Sequence, residues 1–537
     1  MTTPMSANAG QTLSPWRPLR NRIFRDLLAA NLVSDIGAFM QGVGAAWLMV
    51  SLGAGPLNVA LIQTATTLPF FLLVLPAGAL GDLADRRRLI LVTEGWMLAA
   101  AVVLAFFTLR GSMSPWLLLA LTFILSAGDA VEAPTWRALL PELVEPRDLV
   151  AGSALNGIEF NLARAVGPAL GGLLIAATGV GTAFLVNAVS FLGVIVVVAR
   201  WKRPSQTRTA PPETLGGATV AALRYVRHSP GIRTLLLWTG CVMFFASSLM
   251  ALLPSVARGL HGSSLGYGFL LACFGSGAVL GALAMPRLRM RLSAAGVMES
   301  ALVVLSGTLL ATGLLNSLWL LCGCMTLGGF AWILFIATLN TMVQQSAPAW
   351  VRARVLAVFL LVFQGSVALG SAVWGLAAEH RGLVFAFLLA SAGTAASILL
   401  RFFARLPQVE VDLSPWVHWN APTLADGLDY DSDDGPVLVT VEYRVDPHQA
   451  ATFLEAVHRL GRLRRRDGAS YWGVFRDTQS TDRYVENFIV SSWAEHLRQH
   501  ERSVGADRPV EEAVHRAARE TPIVRHFLYA GGALSER

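Results

Sequence analysis

The chain has 537 residues, a formal net charge of +7 and only 14% charged residues. Residues 1–404 carry 40 of the charged side chains and residues 405–537 carry the other 37, and a soluble domain as large as the first segment needs more charge than this to solvate its surface. This distribution excludes a soluble N-terminal part. The basic excess lies in short loops between apolar runs, which indicates membrane topology rather than binding to nucleic acid.

Twelve apolar runs in the first segment are each long enough to cross a bilayer, which takes about 20 residues. We predict an all-α polytopic membrane protein in which residues 27–200 and 232–404 form two six-helix bundles. Residues 1–26 form a cytoplasmic tail without the apolar region of a cleaved signal peptide, and residues 201–231 form a cytoplasmic linker between the bundles. The predicted spans are 27–52, 57–80, 89–109, 115–135, 150–177, 181–200, 232–257, 265–285, 295–314, 317–342, 353–378 and 382–404.

Basic residues are divided unequally between the loops on the two sides of the membrane. If the N-terminus is cytoplasmic, the inner loops and the linker hold 21 basic residues, and the outer loops hold 3, namely Arg110, Arg258 and Arg381. Because basic loops stay in the cytoplasm, we expect a multi-pass protein of the inner cell membrane with both termini cytoplasmic. Paired six-helix halves build a substrate site at their interface in many carriers, so the arrangement predicts a transporter.

The expected inner loop between the second and third spans contains Gly78, Asp82, Asp85, Arg86 and Arg87. Glycine permits a tight turn, an aspartate is favoured beside a helix N-terminus, and arginines anchor the loop in the cytoplasm. The loop resembles the signature G-x-L-a-D-r-x-G-r-r of the major facilitator superfamily, although leucine replaces the basic residue after Asp82, and Asp85 replaces a glycine. The resemblance implies that this inner loop latches the two bundles. A loop that is basic only for topology is the alternative.

The fifth span contains Gly167, Pro168, Gly171 and Gly172. Small residues allow helices to approach closely, and a proline inside a helix leaves one carbonyl without its usual donor. The group resembles the G-P-x-x-G-G motif of exporter branches of the superfamily and implies export, although tight helix packing alone would also explain it. The run 129–172, and with it nearly all of the first segment, resembles the transmembrane secretion effector branch, which includes the enterobactin exporters.

Ionisable residues inside predicted spans are costly to bury and are therefore functional candidates. We take Asp35, Asp129, Glu132, Glu159 and Arg164 as candidates for transport and proton coupling. Asp35 and Glu132 are the preferred proton-binding groups. The alternative is that some of these residues form ion pairs that fix helix packing, in which case Arg164 would meet Glu132 across two spans more readily than Glu159 on its own helix.

Other ionisable and sulfur-containing residues predict no further site. Glu94 and Glu299 lie at the beginnings of the third and ninth spans, where a helix N-terminus near the membrane surface explains them without function. The four cysteines lie inside apolar runs and are expected to be small buried hydrophobic residues.

After the last span, the chain continues as an acidic linker, residues 405–436, and then as a compact segment, residues 437–537. Alternating apolar residues predict strands and helical spacing predicts helices, in the order β-α-β-β-α-β of an α+β ferredoxin-like domain. The elements are predicted at 437–445, 448–466, 470–477, 484–491, 493–502, 508–519 and 523–529. The segment resembles the dimeric α+β-barrel domains typified by antibiotic-biosynthesis monooxygenases, and we interpret it as a regulatory or dimerising module.

Two histidines in this tail, His496 and His500, share one helix face at i, i+4 spacing. Such a pair can bind a metal, but the sequence around it shows no third ligand and no H-E-x-x-H arrangement. We therefore predict a solvated or interface face, with no metal and no cofactor.

Together these features predict a secondary active transporter rather than an enzyme. We expect it to export a small siderophore-like or drug-like molecule by proton antiport and alternating access, with membrane lipid, cargo and protons as its partners. A phosphate loop of a primary pump is absent from the sequence. The alternatives are a major facilitator importer of a small solute and a membrane-tethered enzyme that acts through its C-terminal domain.

Overall fold

A computed structural model of the chain describes residues 14, 16–83, 85–201, 223–261, 263–404, 406–407, 412–416 and 434–529. Parts of the predicted segments lie outside the described residues. These parts are 1–13 and 15 of the N-terminal tail, 84 and 262 of the two bundles, 202–222 of the linker between the bundles, 405, 408–411 and 417–433 of the acidic linker, and 530–537 of the C-terminal domain.

Among the described residues, twelve helices are long and apolar enough to cross a membrane, as the sequence predicts. They are α1 (Arg22–Ser51), α2 (Pro56–Leu83), α3 (Arg86–Leu109), α4 (Pro115–Leu143), α5 (Leu149–Thr178), α6 (Val180–Arg200), α7 (Pro230–His261), α8 (Ser264–Arg289), α9 (Ala294–Leu314), α10 (Leu318–Gln345), α11 (Ala349–Arg381) and α12 (Leu383–Ala396). The last of them, α12, continues through a 3-10 turn, Ser397–Leu399, into a final helical turn, Leu400–Phe403.

Two helices begin before the apolar run that predicts them, because a polar side chain caps each of them. α1 begins at Arg22, inside the predicted tail 1–26, where the Asn21 side chain accepts hydrogen bonds from the first turn. α3 begins at Arg86 rather than at 89, because Oδ1 of Asp85 accepts from the amide of Arg88 at 2.8 Å. These caps place more of each helix at its expected inner end than hydropathy predicts.

The chain divides into two compact units. The first unit consists of Met1–Thr209, Trp238–Thr338 and Leu360–Leu400, and the second consists of Ala210–Leu237, Leu339–Phe359 and Arg401–Arg537. The second unit therefore combines the C-terminal domain with short stretches of the membrane part, namely the beginning of α7, the end of α10 and the beginning of α11.

In the first unit, α1 packs against α5 and α6, α3 packs against α4 and α6, and α2 packs against α4. Buried side chains such as Phe24, Ile90, Leu139 and Val194 fill the space between α1, α3, α4 and α6. α9 packs against α12, and α5 packs against α8. The two predicted bundles therefore touch through α5 and α8.

The C-terminal domain is an antiparallel sheet covered by helices. Its elements are β1 (Val437–Arg444), α13 (Ala450–Asp467), β2 (Tyr471–Arg476), β3 (Arg483–Val490), α14 (Trp493–Glu501), α15 (Arg508–Ala517) and β4 (Ile523–Leu528), and the strand order is β2-β3-β1-β4. Each element agrees with its predicted range to within a few residues. The valines of β1 are buried on one face, where Phe453 of α13 packs between Tyr443 and Tyr484 with ring centroids 5.2 Å apart in each pair.

Candidate functional site

Five carboxyl groups from four helices form the main polar cluster of the first unit. Asp35 lies on α1, Glu94 on α3, Asp129 and Glu132 on α4, and Glu159 on α5. Glu94, Glu132 and Glu159 are buried. Asp129 is exposed but interacts electrostatically with Asp35 and Glu94, so it faces the same space as the buried groups. Four predicted candidates therefore lie together, and Glu94 joins them.

The cluster contains two direct contacts between carboxyl groups. Asp35 and Glu159 are in hydrogen-bonding contact between α1 and α5, and Glu94 and Glu132 are in hydrogen-bonding contact between α3 and α4. An ionised carboxylate only accepts hydrogen bonds, so a contact between two carboxyl groups is favourable when one of them carries a proton. In the described part of the chain, no donor reaches Oε2 of Glu94 or Oε1 of Glu159. The arrangement of these two pairs of carboxyl groups is therefore suited to holding a proton in each pair.

Neighbouring side chains fix the carboxyl group of Glu132. The hydroxyl of Thr93 donates to Oε2, and the indole of Trp136 donates to Oε1. Trp136 also lines a cavity between α1, α4 and α5, together with Asn31, Asn156 and apolar side chains. Trp136 therefore links Glu132 to the wall of this cavity.

Arg164 does not form the ion pair that the sequence allowed. Its guanidinium donates to Oδ1 of Asn161 at 3.1 Å and lies 5.8 Å from the ring centroid of Phe160, both on its own helix. Between the described side chains, no ion pair joins a cation to Glu132, Glu159 or the other three carboxyl groups of the cluster. A packing ion pair is therefore not the reason for these carboxylates.

Glu94 was assigned no function from the sequence, and the structure corrects this interpretation. Because the Asp85 cap starts α3 at Arg86, Glu94 lies deeper in the helix than a start at 89 implies. Its side chain is buried against Glu132. The signal that identifies it is the capping sequence of the loop before α3, which hydropathy does not register.

The motif arginines at the beginning of α3 tie three helices together. Arg86 pairs with Glu142 at 2.5 Å and donates to the carbonyl of Ala138 at 2.8 Å, both near the end of α4. Arg87 donates to the carbonyls of Val198 and Ala199, at 3.0 and 2.6 Å, at the end of α6. Cations at helix C-termini satisfy the last carbonyls and favour the helix dipole.

The structure says less about the roles of Asp82 and Gly78, two other positions of the loop motif. The side chain of Asp82 lies outside the described residues, so its predicted role as a latch stays a prediction. At Gly78, an added Cβ would meet no atom within 4 Å. The structure gives no steric reason for glycine at that position.

The glycines of α5 form packing surfaces on two sides of the helix. A Cβ at Gly167 would lie 2.6 Å from Cβ of Phe39, and one at Gly171 would lie 2.9 Å from Cα of Met40, both on α1. Gly172 instead faces α8. Pro168 is buried among these glycines. The motif therefore brings α5 close to α1 in its own predicted bundle and to α8 in the other.

Three histidines of the C-terminal domain lie together, because the structure adds to His496 and His500 a third histidine that the sequence around them does not indicate. Nε2 of His496 is 3.2 Å from Nε2 of His500, and the ring centroid of His526 is 4.8 Å from that of His496. Burial, together with the charges of His500 and His526, lowers the pKa of His496 to about 3, and burial lowers the pKa of His526. Both rings are therefore neutral near pH 7.

The helix that carries two of these histidines also contacts the segment that precedes α7. Residues 223–228 are helical, and Arg224 in this segment pairs with Glu495 of α14 at 2.9 Å. Arg502 pairs with the same carboxylate at 2.6 Å. Burial alone would raise the pKa of Glu495, but the hydrogen bonds and charges of Arg502 and Arg224 outweigh it and hold that pKa below its usual value.

Aromatic contacts extend this interface inside the second unit. The guanidinium of Arg502 lies 4.6 Å from the ring centroid of Trp350, at the beginning of α11, and that of Arg466 lies 5.7 Å from the ring centroid of Tyr225. Tyr225 and Trp350 meet edge to face. Cations over aromatic faces are attracted by the ring quadrupole. The C-terminal domain is thus bound to segments of the membrane part near the middle of the chain.

Comparison with known proteins shows which family and which relatives the chain resembles. A family model described as transmembrane secretion effector matches residues 13–532. The multidrug efflux pump Tap of Mycolicibacterium fortuitum is 26% identical over 402 residues, which is 72% of this chain and 97% of Tap. The enterobactin exporter EntS of Citrobacter koseri is 27% identical over 365 residues, which is 66% of this chain and 84% of EntS.

Solved structures show the same fold at low sequence identity. The inward-facing, unoccupied structure of a bacterial homolog of the human lysosomal transporter Spinster has a TM-score of 0.56 and 15% identity, and the match covers 74% of this chain and 96% of that one. A POT family transporter in complex with 5-aminolevulinic acid has a TM-score of 0.58 and 12% identity, with 71% and 96% covered.

Proposed function

Because the chain belongs to the transmembrane secretion effector family of major facilitator transporters and exports a small molecule, we propose that protons moving inward drive that export. The observation that carries this proposal is the pair of carboxyl contacts, Asp35 with Glu159 and Glu94 with Glu132. Each contact is favourable when one of its carboxyl groups carries a proton, and each joins two different helices. A movement that separates the helices would release that proton.

This coupling follows from the thermodynamics of two-state carriers. A gradient acts on an alternating carrier only through a group that binds a proton differently in the two states. The contact between Asp35 and Glu159 joins α1 to α5, and α5 also packs against α8. Rearrangement of α5 against α8 would therefore change the proton affinity of the pair.

The cargo class that we propose comes from the relatives. One is named as a multidrug efflux pump and another as an enterobactin exporter, and we propose a siderophore-like or drug-like molecule for this chain. The cavity beside Trp136 has room for only about one water molecule, so the proposed cargo class rests on the relatives.

The experiment uses vesicles that contain the purified chain and an enclosed probe, either labelled enterobactin or ethidium, whichever the unmodified protein exports. Efflux driven by a pH gradient and exchange of probe at equilibrium are measured for Asp35→Asn and Glu132→Gln. We expect at least one variant to lose gradient-driven efflux and keep exchange. Asp26→Asn is the matched control, because Asp26 lies on the same helix as Asp35 and is exposed.

Intact gradient-driven efflux in both Asp35→Asn and Glu132→Gln would rule out these two as the coupling groups. Loss of exchange as well as efflux, in a protein that elutes as an aggregate, would mean that the carboxylates are needed for folding. The same two measurements on Glu94→Gln and Glu159→Gln then test whether the partner of each pair carries the proton.

We also propose that both termini are cytoplasmic, on the strength of the 21 basic residues assigned to inner loops against 3 assigned to outer loops. Reporter fusions at Gly179 and at Pro407 should give opposite sidedness. The same side for both would contradict the topology.

For the C-terminal domain, we propose a ferredoxin-like fold that dimerises through its open sheet face. Its strand order, β2-β3-β1-β4 with antiparallel neighbours, supports the fold. Tyr471, Ile489, Leu438 and Phe527 form one row across the four strands, and Tyr471 and Phe527 are exposed. Phe527→Glu should convert a dimer of the detergent-solubilised chain to a monomer. A monomeric unmodified chain would contradict the proposal.

A further inference from the structure

Three histidines of the C-terminal domain converge from two elements that are distant in sequence. His496 and His500 lie one turn apart on α14, and His526 lies on β4, where it pairs with Val439 of β1. One ring nitrogen of each histidine lies within 4.8 Å of the others. The antiparallel pairing of β4 with β1 therefore brings the third imidazole to a helix face that already presents two.

One distance between the nitrogens already matches that of a metal site. Two ligands that bind zinc at about 2.0–2.1 Å in tetrahedral geometry lie roughly 3.3 Å apart. Nε2 of His496 and Nε2 of His500 are 3.2 Å apart. The nitrogen of His526 lies within 4.8 Å of the other two, so its ring has to approach them when an ion binds.

Two ring nitrogens in the cluster lack a partner within the described residues. Nδ1 of His496 and Nε2 of His526 are buried and face no hydrogen-bond donor or acceptor. Burying an unsatisfied polar atom is unfavourable, so buried polar groups normally have partners. A cation would satisfy Nε2 of His526, whereas Nδ1 of His496 carries the N–H when that ring binds the ion through Nε2.

We propose that His496, His500 and His526 bind a divalent transition-metal ion, with zinc as the reference ion. Imidazole nitrogens suit zinc, copper, iron and nickel, and three protein ligands leave the fourth position of a tetrahedral ion open. A cavity of about 20 Å³ lies beside His496 and His500, which is room for about one water molecule. The open position of the ion would be filled by water on the side of His496 and His500, since His526 does not line this cavity.

The competing explanation is an aromatic packing cluster. The Trp493 ring lies 5.5 Å from that of His496 and 6.0 Å from that of His526, so stacking accounts for part of the arrangement. Stacking does not account for three imidazole nitrogens directed at one another. The two explanations differ in whether the cluster binds an ion.

An ion at this site would act on the contact between the domain and the membrane part. His496 is adjacent to Glu495, whose carboxylate binds Arg224 before α7. Ligation of one ion by His496 and His500 of α14 and by His526 of β4 would fix α14 against β4, and with it the position of Glu495. A metal bound at this site would therefore affect how firmly the C-terminal domain contacts residues 223–228 through Glu495 and Arg224.

The test uses the full-length protein in detergent, purified through an affinity tag without histidines and freed of metal with a chelator. Zn²⁺ alone is titrated by calorimetry, and Co²⁺ alone is followed by its visible absorption. We expect one ion per chain and a tetrahedral Co²⁺ spectrum. His526→Gln and His500→Gln should each weaken binding by at least about tenfold.

His448→Gln and His515→Gln are matched controls, because both histidines are exposed in the same domain and lie outside the cluster. They should bind the ion like the unmodified protein. Thermal unfolding in the presence of chelator shows whether each variant is folded, and His500, which is only half-buried, carries the test if His526→Gln does not fold. Absence of stoichiometric binding by the unmodified chain, or unchanged affinity in a folded His500→Gln variant, would overturn the proposal.

Discussion

Gly172 of α5 and Gly268 of α8 meet backbone to backbone. A Cβ added at Gly172 would lie 2.9 Å from Cα of Gly268, and one added at Gly268 would lie 2.8 Å from Cα of Gly172. Real side chains do not tolerate such distances, so neither helix can carry a larger residue here without moving. Because α5 and α8 belong to different predicted bundles, the exporter-type motif sets how closely the two halves approach each other.

The first prediction follows from this contact. Gly172→Val should force α5 from α8 and cost about 1–3 kcal/mol, which is roughly a 5- to 150-fold change in the population of the state that contains the contact. We expect slower efflux in vesicles and a lower unfolding temperature in detergent. Gly157→Val is the matched control on the same helix, where an added Cβ meets nothing within 4 Å. Equal behaviour of the two variants would show that the contact is not needed.

The second prediction concerns the loop before α3. Arg86→Gln removes the ion pair with Glu142 and the bond to the carbonyl of Ala138, and we expect a loss of about 1–3 kcal/mol in stability. Arg88→Gln removes the same charge from an exposed neighbour and should have little effect. The unfolding temperatures of both variants are compared in detergent. An equal loss of stability in Arg88→Gln would mean that the positive charge of the loop, rather than the specific contacts of Arg86, stabilises the protein.

How far the sequence predicts this molecule depends on whether a feature is local. The length and apolar composition of each span are local properties, so all twelve helices were predicted. The strands and helices of the C-terminal domain agree with prediction because alternation and helical spacing are also local. Packing between α1, α4 and α5 brings four carboxyl groups together, those of Asp35, Asp129, Glu132 and Glu159. The sequence identified these residues only because a charged group inside a membrane span is costly.

The residues that the sequence analysis missed are placed by capping or by contacts between segments, which the pattern within one segment does not show. Glu94 was dismissed because hydropathy started α3 too late, and the Asp85 cap corrects this. His526 was not considered because its approach to His496 depends on the pairing of β4 with β1. The sequence left open an ion pair of Arg164 with Glu132 on α4, but Arg164 instead contacts Asn161 on its own helix.

The third prediction concerns the pair between Arg224 and Glu495. Its side chains are only 21% and 11% exposed, so solvent screens the interaction less than on an open surface, and we expect it to contribute about 1–2 kcal/mol. Arg224→Ala should therefore increase hydrogen exchange and proteolysis in α14. Arg227→Ala, which truncates an exposed arginine one turn later, is the control. A double-mutant cycle with Glu495→Ala measures the coupling, and a coupling energy near zero would contradict it.

The last prediction joins the metal site to this pair. If an ion fixes α14 against β4, it also fixes Glu495, and the bond to Arg224 then costs less ordering entropy when it forms. Addition of Zn²⁺ to the metal-free full-length protein should therefore slow hydrogen exchange in 223–228 as well as in α14.

The variant Arg224→Ala separates metal binding from its effect on 223–228, because it leaves all three histidines in place. In that variant, we expect Zn²⁺ to bind as before and still protect α14, while 223–228 no longer responds. Protection of 223–228 by Zn²⁺ in Arg224→Ala would mean that another contact, such as that between Arg502 and Trp350, transmits the effect. Zn²⁺ binding without any change in 223–228 of the unmodified chain would mean that the metal stabilises the domain but does not act on its contact with the membrane part.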